Sequence, residues 1–210
     1  MSNRYDSSET LEGRYQPGSD NLVLVNNLGI TNPQEMDDVE LALLEMLTFT
    51  IIDEVTEDQR LTIAQLCEWH RRWLGNVYHW AGSIRSVNMS KHEFQFAAAM
   101  QIPRLMDEFD RNYLNKYTPC YQQDDESLVE ALAIVHVEFV LIHPFREGNG
   151  RLARLIATIM ALQAGKPALD FSCLDKNKQQ YFSAIQVGLI NYEPMKSLFR
   201  QVLQESEKKV

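Results

Sequence analysis

From Leu128 to Ile142 the chain runs about 15 residues interrupted by only three strongly polar side chains, Glu130, His136 and Glu138. That is long for a strand. Glu126 and Glu130 fit the polar face of a helix. The stretch therefore reads as a helix from an Asp125 N-cap to about Ile142. Pro144 cannot extend it. Gly148 and Gly150 mark a loop, and a new helix starts at Asn149 or Gly150, runs to about Leu162 and stops at Gly165.

Other segments repeat the helical period. Thr31-Asn32-Pro33 is a helix start, followed by Met36, Val39, Leu43, Leu44 and Leu47 at helical spacing. A second helix is predicted from Thr62, carrying Ile63, Leu66, Trp69 or His70, and Trp73, and stopping at Gly75. Phe96 to Asn112 is predicted as helix, closed by Tyr117-Thr118-Pro119. Two more are predicted over Asn177 to Ile190 and Glu193 to Glu205. Between them, Ile84, Ser86, Asn88 and Ser90 alternate as in a short hairpin or flap. The first 35 residues are polar and punctuated by Pro17-Gly18-Ser19 and Gly29, with Leu22 to Val25 a short strand or a packed arm. The expected organisation is an irregular arm, 1–35, and one mostly α domain, 36–210.

Charge and cysteine usage narrow the function classes. A net charge of −9 works against general nucleic-acid binding, because like charge repels phosphate. It leaves room for a local anion site. No apolar run is long enough to span a membrane, and Met1-Ser2-Asn3-Arg4 has no apolar core, so no secretory signal is expected. Cys67, Cys120 and Cys173 are an odd, widely spaced set, which suggests a reducing compartment without a zinc site or disulfide framework. The expectation is a cytoplasmic protein that binds neither membrane nor nucleic acid.

The chemistry is concentrated in residues 143–154. A loop with two glycines lets backbone N–H groups approach an anion, and the following helix N-terminus adds free donors and a positive dipole end. Arg151 and Arg154, three apart, share one face of that first turn. Three arginines, Arg146, Arg151 and Arg154, stand against one acid, Glu147. That excess suits a polyphosphate. Glu147 makes sense beside it if a divalent cation accompanies the phosphates. His143 is the side chain here suited to proton transfer near neutral pH. The residues alone thus suggest Mg-nucleotide binding beside a general base. Gly148-Asn149-Gly150-Arg151-Leu152-Ala153 also fits a dinucleotide fingerprint, with Asp170 at the distance of a ribose-binding acid. That reading needs a strand before Gly148, where the pattern is helical.

These twelve residues resemble the signature of the Fic family, His-x-Phe-x-(Asp/Glu)-Gly-Asn-Gly-Arg-x-x-Arg, at every specified position. The likeness extends to Trp73 through Arg85, to Phe94-Gln95-Phe96-Ala97, and to Tyr15-Gln16-Pro17-Gly18-Ser19 and Asn27-Leu28-Gly29-Ile30. The resemblance implies a Fic-type helical bundle with a small β-hairpin flap. It implies transfer of AMP from ATP to a Tyr, Thr or Ser hydroxyl of a target protein, with pyrophosphate leaving. In that scheme His143 is the base and Glu147 holds Mg²⁺. The Gly148-Asn149-Gly150 backbone and the Asn149 side chain form an anion hole. Arg151 binds the β-phosphate and Arg154 the γ-phosphate, while Phe145 is a core anchor. Gly150 stands where the Doc-like kinase branch carries Lys. The flap, with Asn88, Met89, Ser90 and Lys91, would receive the target by strand addition. Phe96 reads as core, and Tyr181 or Tyr192 are candidates for the adenine pocket.

Many members of the family are restrained by a (Ser/Thr)-x-x-x-Glu-(Gly/Asn) helix. Ser8 to Gly13 matches it, which would make Glu12 an inhibitory partner of Arg154. The alternative is a separate small antitoxin that supplies the glutamate in trans, with this chain as the toxin. Two further readings of the same site are a nucleotide-binding module without turnover and a phosphodiesterase that removes AMP, which would use Glu12 to orient water.

Overall fold

The computed structural model describes residues 10–91 and 93–209. The order is α1 (Pro33–Glu54), α2 (Ile63–Leu74), β1 (Ser90–Lys91), β2 (Phe94–Gln95), α3 (Ile102–Phe109), α4 (Asn115–Tyr117), α5 (Asp125–Ile142), α6 (Asn149–Gln163), α7 (Ser172–Lys176), α8 (Lys178–Val187) and α9 (Glu193–Glu207). The fold is mostly helical, with a two-stranded antiparallel hairpin in which Ser90 faces Gln95 and Lys91 faces Phe94.

The long apolar stretch is the central helix. On α5, residues all round the axis are buried, including Leu128, Leu132, Val135, Phe139 and Ile142. A helix apolar on every side must be enclosed. Helices α3, α6, α8 and α9 pack around it. Its N-cap is Asp124, not Asp125: the Asp124 carboxylate accepts from Ser127 N–H at 2.8 Å. Two other starts follow the sequence. Asn32 caps α1 with Pro33 in the first turn, and Thr62 and Gln65 form a reciprocal capping box on α2.

Two further boundaries depart from expectation. Phe96 to Ala98 are not helical. Ala97 N–H donates to Leu141 O at 3.3 Å and Ala99 N–H to Asn88 Oδ1 at 2.8 Å. These bonds tie the flap's exit to α5 and delay the helix, which then winds on through a wider π-type turn at Asp110–Leu114 to Tyr117. The stretch after Gly165 holds a short extra helix, α7, before α8. Of the two readings of Leu22 to Val25, the packed arm holds and no regular strand forms. Leu24 makes a single bridge to Tyr15, and the arm is packed by buried Val23, Leu24 and Ile30. Among the described residues no helix is long and apolar enough to cross a membrane.

Candidate active site

The site is built where α5 ends and α6 begins. The α5 C-cap is His143 itself, at φ 53° in the left-handed region that non-glycine residues rarely adopt. Its Nδ1 lies 3.2 Å from Val140 O, an acceptor, so Nδ1 carries the proton and Nε2 keeps the lone pair. Phe96 stacks on the imidazole with centroids 3.8 Å apart. Phe96 is buried as the sequence suggests, and its burial is against the candidate base. Burial pushes His143 down to about 4, reinforced by Arg85, Lys91 and Arg146. The ring is therefore neutral at physiological pH.

The loop that follows is braced from inside. Asn149 is buried, with Oδ1 accepting from Phe145 N–H at 2.9 Å and Nδ2 donating to Phe145 O at 2.7 Å. Both ends of its amide thus brace the loop from within, and Nδ2 keeps a second N–H. Gly148, at φ 79°, admits no Cβ, because one would lie 2.5 Å from the Trp73 ring. A Cβ at Gly150 would meet nothing within 4 Å. The first i→i−4 bond of α6 is Leu152 N–H to Gly148 O, so the amides of residues 149 to 151 precede the ladder. No side chain caps that end.

The two motif arginines are half-buried and diverge. Arg151 Nη2 donates to Glu40 Oε2 at 2.5 Å and lies 3.4 Å from Glu147 Oε1, with its guanidinium over Trp73. Arg154 Nη2 meets Asp175 Oδ1 at 2.8 Å. Glu147 Oε1 also accepts from Gly148 N–H at 2.8 Å. Phe145 is fully buried, stacked on His70 at 4.0 Å. His70 accepts from Gly82 N–H at Nδ1, so its Nε2–H donates to Glu147 O at 3.1 Å and holds the loop from below.

The expected Glu12–Arg154 pair does not form. Glu12 lies in a three-residue 3₁₀ turn, Leu11–Gly13. Its carboxylate takes Ser86 N–H at 2.7 Å and the Ser86 hydroxyl, while Arg146 Nε donates to its carbonyl at 2.9 Å. The arm is fastened to the root of the flap, away from Arg154. Ser8 lies outside the described residues. On the flap, Ser90 and Lys91 are exposed, Met89 O accepts from Phe96 N–H, and the Asn88 side chain closes the flap internally. Lys91 Nζ sits 5.1 Å from the Phe182 ring centroid. Tyr181 bonds His136 at 2.7 Å and lies 5.9 Å from the Arg154 guanidinium. Tyr192 bonds Glu138, away from the motif.

The sequence does not mark Glu40, His70, Arg85 or Asp175 as part of the site. Each is one polar residue in an ordinary helical or loop pattern, and only the tertiary contact marks it.

A model of the Fic/DOC family matches residues 60–161. Protein adenylyltransferase fic-1 of Caenorhabditis briggsae is 29% identical over 168 residues, 79% of this chain and 31% of that protein. Protein adenylyltransferase VbhT of Bartonella schoenbuchensis is 26% identical over 196 residues, 92% of this chain and 40% of that protein. The chain thus spans less than half the length of these curated relatives. The crystal structure of BepC from Bartonella tribocorum, a VirB-translocated effector with bound AMPPNP, aligns with a TM-score of 0.73 at 22% identity, covering 91% of this chain and 96% of that one. The segment that matches the Fic/DOC family encloses the complete motif at 143–154, and the helical architecture is the one shared with that structural neighbour.

Proposed function

We propose that this chain is a protein adenylyltransferase that moves AMP from ATP to a hydroxyl side chain of a target protein. The observation that carries the reading is that one helix–loop–helix holds a neutral imidazole with its Nε2 lone pair, an uncapped helix N-terminus and two arginines. His143 Nε2 takes the hydroxyl proton as the oxygen attacks the α-phosphorus. The bond from that phosphorus to the bridging oxygen breaks, and pyrophosphate leaves with the electron pair. The amides of residues 149 to 151 receive phosphate oxygens, with Arg151 on the β-phosphate and Arg154 on the γ-phosphate. The open space at Gly150, where packing does not demand glycine, supports close approach of a ligand to that backbone.

Magnesium fits the donor set. Glu147 offers a carboxylate 43% exposed, and among the described residues no group of three or more His, Cys, Asp or Glu could hold an ion alone. That matches an ion ligated by one carboxylate and phosphate oxygens. Bound there, it would neutralise charge on the phosphates.

The reading extends to partners and setting. The target docks along the flap edge at Ser90 and Lys91, and the protein works in the cytoplasm. Residues 1–35 act as an arm on the domain 36–210. The commitment of Glu12 to Ser86 supports a separate antitoxin over an in-chain brake, with this chain as the toxin. It removes support from a water-activating role for Glu12 as well.

Intact-mass spectrometry after incubation with ATP and Mg²⁺ tests the reading on the natural chain, His143→Ala and Glu12→Gly. The expected result is one added AMP on the natural chain, none on His143→Ala, and no large gain from Glu12→Gly. ATP binding without any adduct would favour the module without turnover. No ATP binding would overturn both.

A further inference from the structure

Arg85 is sealed inside the protein at 1% exposure. A buried guanidinium is costly unless its donors are met. All four of its side-chain hydrogen bonds go to main-chain carbonyls. Nε donates to His143 O at 2.6 Å and Nη1 to Val87 O at 2.5 Å. Nη2 donates to Ala97 O at 2.7 Å and to Ile142 O at 3.3 Å. Its own N–H goes to Pro144 O at 2.9 Å.

Those acceptors come from three places. Ile142 and His143 are the end of α5, where carbonyls lack helical partners and carry the negative end of the dipole. Val87 is on the leg entering the flap, and Ala97 is on the leg leaving it. Phe96, the ring stacked on His143, is the residue before Ala97. One side chain therefore grips both legs of the flap and the carbonyl of the candidate base. That base sits in a left-handed conformation that its surroundings must hold.

We propose that Arg85 is a positioning residue that locks the flap to His143, fixing the strand edge that receives a target against the imidazole that takes its proton. The inference rests on the AMP-transfer reading above. A hydroxyl delivered by a backbone-docked segment must arrive within hydrogen-bond reach of Nε2. A flap free to shift would spoil that approach. It would leave the phosphate-binding groups proposed among residues 147 to 154 untouched. Burial lowers Arg85 to about 10, so it keeps its charge at neutral pH.

The test uses the full chain with Arg85→Gln and Arg85→Lys. Self-modification is followed by intact mass over a range of Mg-ATP concentrations, and amide deuterium exchange is measured on the same proteins. In Arg85→Gln the maximal rate should fall about 30-fold while half-saturating ATP stays within about twofold. Flap peptides should exchange about tenfold faster, with α5 and α6 unchanged. Arg85→Lys, which keeps the charge but not the fork, should fall between. Flap exchange and maximal rate both within about twofold of the natural chain would overturn the proposal. So would faster exchange in every helix together with weaker ATP binding, because Arg85 would then only hold the fold. If the natural chain adds no AMP at all, the functional reading fails, and the exchange pattern alone decides whether Arg85 is the clamp.

Discussion

Arg151 and Arg154 leave the same turn of α6 three residues apart and enter opposite surroundings. Arg151 meets Glu40, whose side chain is 3% exposed and whose other oxygen accepts the Tyr78 hydroxyl at 2.6 Å. Trp73 lies under the guanidinium and donates its indole N–H to Glu40 O at 2.8 Å. Arg154 meets Asp175, 51% exposed, at the rim formed with Phe171 and Tyr181. A buried pair is held because each partner is costly to leave alone. An exposed pair is worth little and exchanges easily. The two arginines therefore differ in kind. Arg151 is a fixture of the fold, and Arg154 holds a rim acid that, on the proposed function, a ligand phosphate would displace.

The largest expected effect comes from breaking the sealed side. Glu40→Ala leaves the Arg151 guanidinium and the Tyr78 hydroxyl facing a vacated buried space. It should destabilise the protein by about 3–5 kcal/mol in urea unfolding. Glu40→Gln keeps an acceptor and a similar volume and should lose clearly less. Equal losses for Glu40→Ala and an Asp175→Ala control would erase the distinction between the two sides.

That distinction was hidden in the sequence, for a physical reason. Residues 143–154 are contiguous, so the motif, its helix–loop–helix setting and the α5 core were legible from spacing alone. The starts of α1 and α2 were legible as well, because Asn32 and Thr62 cap through bonds to residues two and three along. What the sequence could not show was the partner of each motif side chain. Glu40 reaches Arg151 across 111 positions, Glu12 reaches Ser86 across 74, and Arg85 reaches His143 across 58. A match such as Ser8 to Gly13 names residue types at a spacing, and where the arm is fastened decides what Glu12 touches. The late start of α3 has the same origin, since Asn88 and Leu141 take the amides that would otherwise open a helix.

Acid should probe both sides at an intermediate level. His70 braces the loop on the Arg151 side, and His136 bonds Tyr181 on the Arg154 side. Burial lowers them to about 4 and about 3, so both are neutral when folded. An unfolded imidazole titrates near 6.5, so below that pH the unfolded chain binds protons that the folded one refuses. Stability is then full above pH 6.5 and falls as pH falls, by about 2 kcal/mol for each ring near pH 4.5. Glu40, raised by burial, works the other way, since its penalty fades as pH falls. Urea unfolding from pH 7.5 to 4.5 measures the sum, to which His143, also lowered to about 4 by burial, adds in the same direction as the two rings. Deuterium exchange at each pH separates the sides: protonating His70 at Nδ1 opposes the Gly82 N–H and should loosen the 144–150 loop, whereas His136 should loosen α8. A flat stability profile over this range would mean that none of the three rings is sealed.

The smallest effect on stability should come from Asp175→Ala, at most about 1 kcal/mol, because the pair it breaks is at the rim. Its effect on binding should be larger and of opposite sign. Arg154 must leave Asp175 before its guanidinium can turn to a phosphate, so removing the carboxylate removes a competitor for the same donors. Calorimetry with a non-hydrolysable ATP analogue and Mg²⁺ should show a gain of about threefold to tenfold for Asp175→Ala. AMP, which lacks the phosphates assigned to Arg154, should bind both proteins alike. A gain that appears equally for AMP would place the effect in the Phe171–Tyr181 wall and not in the arginine. No gain for either nucleotide would show that Arg154 stays with Asp175 when the site is filled, and the two arginines would then be alike after all.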